Sequence, residues 1–254
     1  MISDIVRWLE PYPVLYRPAR SMYRAASGVA GRVRAARSRR RERTIAREFH
    51  RVYYDAHLTR SDVKYQWLGV PIQKLPMDLC ILQEILWETR PEQIIECGVN
   101  FGGSTWFLAT VCDAMNHGQI LAVDISLASV WPQVPQHPRV EMVEMSSTSP
   151  EFVKLARERS AGKRTMVILD SDHSCQHVLD ELRLHASLVS PGCYLICEDS
   201  NMNGHPVLES FGPGPYEALE QYLPEVPGMW TVDRHRERLL VTFNPNGYLR
   251  RNPV

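Results

Sequence analysis

From Pro76 to Leu223 short apolar runs alternate with stretches whose apolar residues recur at helical spacing, and few folds accommodate that alternation. A helix over about 76–89 carries Leu79, Leu82, Ile85 and Leu86 on one face. Strands are predicted at 93–96, 120–124, 140–145, 166–170 and 193–198, and helices at 104–115, 176–188 and 215–223. Ser149-Pro150-Glu151 opens a further helix with an N-cap, a first-position proline and a first-turn acid. Val232 and Leu239–Phe243 read as late strands joined by the charged turn Asp233–Arg238. Strand–helix alternation of this kind predicts an α/β fold: a mostly parallel central sheet with helices on both faces.

Two of these strands end in acids. Met166-Val167-Ile168-Leu169 runs into Asp170-Ser171-Asp172-His173, and Tyr194-Leu195-Ile196-Cys197 runs into Glu198-Asp199-Ser200-Asn201. Were they neighbours in one parallel sheet, Asp170, Glu198 and Asp199 would converge on one edge. Hard oxygen donors suit Mg²⁺, Mn²⁺ or Ca²⁺ better than Zn²⁺. His173 and His177 with one carboxylate would also fit a non-haem iron triad, but that reading leaves Glu198 and Asp199 unexplained.

Ligands of open α/β sheets bind beyond the carboxyl ends of the strands. The first strand ends Glu96-Cys97-Gly98-Val99-Asn100-Phe101-Gly102-Gly103-Ser104, with Asn100 where a dinucleotide fingerprint needs its second glycine. An acid, a GxxxG turn and a helix-opening serine fit an adenosyl ligand without phosphates. In that reading Glu96 faces the methionine end of S-adenosylmethionine, Gly98, Gly102 and Ser104 allow close approach, Asp124 takes the ribose hydroxyls, and Ser146 or Ser147 flanks the adenine. A 14-residue connector at Asn201–Gly214 follows the acidic pair and is placed to cover an acceptor. Tyr53, Tyr54 and Trp67 are candidates for an acceptor wall or for core.

The formal charge of zero hides an asymmetry. Residues 1–51 hold 13 arginines against four acids, a net +9, and the remainder is −9. We therefore expect two parts, an Arg-rich helical extension at 1–51 and a main domain at 52–254. The arginine run Arg37-Ser38-Arg39-Arg40-Arg41 suits a peripheral contact with anionic lipid, or a helix paired with acidic protein surface, including that of another copy in a homo-oligomer. Nucleic acid is not expected, since no recognition motif or aromatic–basic interleaving accompanies the run. Six cysteines without a CxxC pair indicate a reducing, cytoplasmic setting. No stretch approaches the roughly 20 apolar residues of a membrane span, and no secretory core is expected at the N-terminus.

Leu169-Asp170-Ser171-Asp172-His173-Ser174, His177-Val178-Leu179, Glu198 through Leu208 and Phe211 through Ala218 closely resemble the rhamnosyl O-methyltransferases, within the broader cephalosporin-hydroxylase-like methyltransferases. The resemblance runs from about Tyr53 to Phe243. It implies a Rossmann-like class I methyltransferase fold, S-adenosylmethionine and usually Mg²⁺. It further implies metal binding by Asp170, Glu198 and Asp199, His173 as the base, and a sugar hydroxyl of a glycolipid as acceptor. A macrolide or other secondary metabolite, or a non-catalytic adenosylmethionine-binding role beside an oxygenase, are the alternatives on the same fold.

Overall fold

The computed structural model describes Glu10 and residues 13–253. The chain divides into two compact units, Met1–Phe49 and His50–Val254. The start of the extension, including Pro11 and the region where no secretory core is expected, lies outside the described residues. Helix α1, Pro13–Thr59, is 47 residues long and carries the Arg-rich run expected to be helical. Arg37–Arg41 are exposed along it. His50 and Arg51, grouped by charge with the extension, fall in the second unit.

The second unit contains, in chain order, β1 (Tyr65–Trp67), β2 (Val70–Ile72), α2 (Pro76–Thr89), β3 (Gln93–Cys97), α3 (Gly103–Met115), β4 (Gln119–Asp124), β5 (Val140–Glu144), α4 (Pro150–Ser160), β6 (Thr165–Leu169), α5 (Cys175–His185), β7 (Tyr194–Cys197), α6 (Pro215–Tyr222), β8 (Trp230–Val232) and β9 (Tyr248–Arg251). The main sheet has the order β5-β4-β3-β6-β7-β9-β8. Strands β3 to β7 run parallel, and β9 runs antiparallel to both β7 and β8. The chain starts at the middle with β3, winds outward to β5, then returns to β6 on the other side. Between β3 and β6 lies the point where winding reverses, and there a ligand crevice opens in such sheets.

Period-two alternation sorts the strand residues onto two faces. Ile94, Ile120, Ala122, Met166, Ile168 and Ile196 pack under α2 and α3, against Ile85, Leu86, Phe107 and Leu108. Ile95, Leu121, Val123, Val167, Leu169 and Leu195 pack with Phe152, Leu182 and Leu219 from α4, α5 and α6. Burial on both faces explains why these strands read as continuous apolar runs. Cys97, Cys112, Cys193 and Cys197 are buried in this core as free thiols.

Two expectations are corrected. Leu239–Phe243 is not a strand, and the final strand is Tyr248–Arg251. The backbone of Phe243 bonds elsewhere: its N–H donates to Asp78 Oδ2 at 2.8 Å, and its carbonyl accepts from Asn201 N at 3.0 Å. The segment Asp233–Arg238 is not a hairpin turn but a 3₁₀ turn over Arg234–Glu237, capped by Asp233, which accepts from His235 N. Sequence periodicity also misses the β1–β2 hairpin, whose turn residues Leu68 and Gly69 have φ of 45° and 88°. Positive φ at both central positions matches the twist of a tight hairpin. A Cβ at Gly103 would lie 2.1 Å from the Pro71 carbonyl oxygen, so only glycine lets this hairpin meet the start of α3.

Candidate active site

The carboxyl ends of β3, β4, β5, β6 and β7 surround a cavity of ≈ 540 Å³. That is an ordinary size for a cofactor site. Its walls include Lys74, Gly98, Ser104, Asp124, Ser146, Ser147, Asp170, His173, His177 and Asp199. The crevice predicted from the strand ends is therefore real, and most of the expected residues share it.

The β3 end is shaped by contact with β6. Gly98 has φ +95°, and a Cβ there would lie 1.9 Å from the carbonyl oxygen of Asp170. The two loops can touch only through glycine. Asp124 closes the turn from the other side: its Oδ2 accepts from Val99 N at 2.7 Å and from Asn100 N at 3.0 Å, and its Oδ1 accepts from Ser126 N at 3.1 Å. Asp124 thus holds the loop as well as lining the cavity. Gly102 has φ +85° and caps α3 against Val130 and Val134, outside the cavity wall.

Glu96 does not reach the cavity. It is fully buried, and its two oxygens accept from the hydroxyls of Ser104 and Thr105. Strand alternation turns it toward the α2–α3 side, where burial pushes its acid up to about 7 while Ser104 and Thr105 pull the other way. Its effect on the site passes through Ser104.

The acidic ends of β6 and β7 do come together. Ligand atoms of Asp170, His173 and Asp199 lie within 4.8 Å of one another, and His173 Nε2 is 3.3 Å from Asp199 Oδ2. Glu198 stands slightly apart with a residue that sequence reading missed. Lys74 Nζ is 2.8 Å from Asp170 Oδ2 and 3.1 Å from Glu198 Oε1, and Lys74 is 5% exposed. Desolvation works against the Lys74 charge, but Asp170 and Glu198 outweigh it and raise its pKa. Burial raises the Glu198 acid, with Lys74 opposing and Asp170 adding to the rise; burial likewise raises Asp199, with His173 opposing. Three carboxylates against one lysine leave a formal charge of −2. A hard divalent cation matches both the donors and the deficit.

The loop Asn201–Gly214 abuts this cluster. Cys175 N, two residues past His173, donates to the Pro213 carbonyl at 3.1 Å. Glu217 pins the loop: Oε1 accepts from Asn203 Nδ2 at 3.0 Å and pairs with His205 Nε2 at 2.9 Å, and Oε2 accepts from Gly214 N at 2.7 Å. From the end of α1, Arg51 Nε donates to the Pro206 carbonyl at 2.9 Å, and His50 Nε2 is 2.9 Å from Asn201 Nδ2. Tyr54 is core, packed edge-on against Phe243, and Trp67 packs on Phe107 while donating to Thr110 Oγ1 at 2.9 Å.

Comparison with known proteins decides what this site belongs to. The family model described as Rhamnosyl O-methyltransferase/CmcI matches residues 60–252. This chain belongs to that family. The rhamnosyl O-methyltransferase of Mycobacterium tuberculosis (strain ATCC 25618 / H37Rv) is 41% identical over 213 residues, 82% of this chain and 85% of that protein. The rhamnosyl O-methyltransferase of Mycobacterium leprae (strain TN) is 42% identical over 213 residues, 81% of this chain and 90% of that protein. A CmcI structure with Mg and SAM has a TM-score of 0.61 at 22% identity, covering 76% of this chain and 79% of that one. An apo CmcI structure has a TM-score of 0.60 at 24% identity and the same coverage. The fold is that of a class I methyltransferase, and the family member described here is an O-methyltransferase.

Proposed function

We propose that this enzyme transfers the methyl group of S-adenosylmethionine to a sugar hydroxyl, a rhamnosyl unit of a glycolipid, with Mg²⁺ or Mn²⁺ in the site. The observation that carries this reading is the juxtaposition, in one cavity, of an adenosyl-type β3 turn with Asp124 and the Asp170–His173–Asp199 cluster. The 41% identity to a rhamnosyl O-methyltransferase supports the acceptor class.

Asp124 is the acceptor for ribose hydroxyls, Gly98 and Ser104 let the ligand approach the β3 turn, and Ser146 and Ser147 flank the adenine. Asp170, Glu198 and Asp199 supply the negative charge that holds the cation, and Lys74 is the fixed counter-ion that keeps Asp170 and Glu198 in place. The cation, when bound, makes an oxygen ligand more acidic, as in sites where the pKa of water falls from 15.7 to about 7. Methyl transfer is an in-line displacement, so the chain must hold the acceptor oxygen against the methyl carbon and remove its proton. His173, beside Asp199 at 3.3 Å, is the base that takes this proton. The loop Asn201–Gly214, held by Glu217 and Arg51, is the wall against which the sugar rests.

Among the described residues no helix is long and apolar enough to cross a membrane. We read the enzyme as cytoplasmic, a homo-oligomer, with the Arg-rich residues 32–51 touching the anionic membrane surface where a glycolipid acceptor resides. Residues 1–51 form an extension that catalysis on a soluble acceptor does not need, apart from His50 and Arg51. The site assignment is tested by calorimetry of S-adenosylhomocysteine and Mg²⁺ binding. Asp124→Ala is expected to lose nucleoside affinity by about 1.5–3 kcal/mol while keeping metal affinity, and Asp170→Ala the reverse. Equal affinity of wild type and Asp124→Ala for S-adenosylhomocysteine would refute the ribose assignment.

A further inference from the structure

Four polar side chains from three segments meet at the cavity wall: Ser147 after β5, Ser171 after β6, and His177 and Glu181 one turn apart on α5. His177 Nε2 lies 3.2 Å from Ser147 Oγ, 3.1 Å from Ser171 Oγ and 3.4 Å from Glu181 Oε1. Ser171 Oγ donates to Glu181 Oε1 at 2.7 Å. Glu181 is fully buried, while Ser147, Ser171 and His177 line the cavity. A second α5 histidine fixes the same loop, since His185 Nε2 is 2.8 Å from the Ser147 carbonyl oxygen.

The hydrogens of this network can be counted. Ser171 Oγ gives its single hydroxyl hydrogen to Glu181 Oε1. Ser171 Oγ can then only accept from His177, which places a hydrogen on Nε2; the carboxylate beside it favours the same tautomer. A nitrogen that carries a hydrogen cannot accept one from Ser147. Ser147 Oγ has no other side-chain hydrogen-bond partner among the described residues. Its hydroxyl hydrogen is therefore left over at the wall of the cavity, on a residue only 5% exposed. A buried donor of this kind is costly unless a ligand supplies the acceptor.

We propose that Ser147 is a fixed donor to an unprotonated ring nitrogen of the cofactor's purine, and that Glu181, through Ser171 and His177, is the positioning residue that sets the direction of that hydrogen bond. The proposal rests on the S-adenosylmethionine reading of the cavity and adds the feature of the base that is read. Adenine N1 is a bare acceptor. In a 6-oxopurine N1 carries a hydrogen, so two donors would face each other and the buried hydroxyl would stay unpaired. Discrimination of about 10- to 100-fold against the 6-oxo base follows.

The test is calorimetry on the full chain with two probes, S-adenosylhomocysteine and S-inosylhomocysteine. Wild type is expected to bind the adenosyl probe about 10- to 100-fold more tightly. Ser147→Ala should bring the ratio close to one mainly by weakening the adenosyl probe, and Ser147→Thr, which keeps the hydroxyl, should restore it. Glu181→Gln can hand a hydrogen to Ser171 and should also reduce the ratio, although it does not touch the ligand. A wild-type ratio in Ser147→Ala would overturn the proposal, and a wild-type ratio in folded Glu181→Gln would remove Glu181 from it. Equal binding of both probes by wild type rejects this inference alone. Failure of wild type to bind either probe rejects the cofactor reading and the inference with it.

Discussion

At the residue scale the site is a problem of charge. Lys74, Asp170, Glu198 and Asp199 sit together, with Lys74 paired to Asp170 and Glu198, and on the proposed reading a cation offsets the remaining negative charge. Lys74→Met should lower the stability of the metal-free protein by about 3–5 kcal/mol, since it strips a counter-ion from buried acids. Denaturant titration measures the loss, and saturating Mg²⁺ should recover part of it. His173→Ala should reduce kcat by about 10²- to 10⁴-fold with little change in nucleoside affinity, the share usual for a general base. Two other acids fix how stability depends on pH. Burial lifts Glu96 from 4.5 to about 7 and Asp78 from 3.8 to about 6, in each case against neighbouring donors. A carboxyl whose folded pKa lies above its unfolded value binds its proton more tightly when folded. Each therefore adds stability in the protonated form, roughly 3 kcal/mol at most, that is lost as pH rises through the folded pKa. The Tm should fall between about pH 4 and 7 from these two groups. Glu96→Gln, whose amide can still accept from one hydroxyl and donate to the other, should flatten that slope. A slope unchanged in Glu96→Gln would mean Glu96 is not protonated in this range.

At the element scale the decisive contacts are backbone approaches. Gly98→Ala would require both a positive φ and a Cβ 1.9 Å from the Asp170 carbonyl oxygen. The strained backbone alone costs about 1–3 kcal/mol, and the clash adds to it, so the variant should unfold at markedly lower denaturant and lose nucleoside binding. Glu217→Ala removes three contacts that pin the loop Asn201–Gly214 and should raise KM for the acceptor while leaving S-adenosylhomocysteine affinity unchanged. Strands β3 to β7 and their helices were legible in the sequence because double-sided burial writes apolar runs and helical spacing directly into it. The clustering of Asp170 and Asp199 followed from two strands ending in acids, once those strands proved to be neighbours. Lys74 was not legible. It sits two residues past a three-residue strand, an element too short for periodicity to register, and its partners Asp170 and Glu198 are 96 and 124 positions away in sequence. Leu239–Phe243 misled for a related reason: only Val241 and Phe243 of its apolar residues are buried, and the Phe243 backbone bonds to Asp78 and Asn201 rather than to a sheet. Glu96 was placed at the right strand end, but it is buried against Ser104 and Thr105 rather than on the cavity wall.

At the scale of the whole molecule, an acid-lined methyltransferase unit is joined to an arginine-rich segment. Removal of about the first 45 residues, leaving His50 and Arg51 to hold the loop through Asn201 and Pro206, should preserve folding and nucleoside binding. If the arginines serve a membrane-borne acceptor, the truncated protein should sediment less with anionic vesicles. The binding of the full chain should weaken with salt, because such attraction is screened within about 8 Å at physiological ionic strength. Equal sedimentation of both forms would reject the membrane role. Methyl transfer to a sugar hydroxyl is measured by mass spectrometry of a rhamnosyl glycoside incubated with the enzyme and isotope-labelled S-adenosylmethionine, with Mg²⁺ or with excess chelator. One labelled methyl group on a sugar oxygen is expected with Mg²⁺, none after chelation, and recovery when Mg²⁺ is returned. Transfer that persists undiminished in chelator would contradict the metal assignment, and the absence of any labelled sugar from rhamnosyl acceptors would contradict the proposed function.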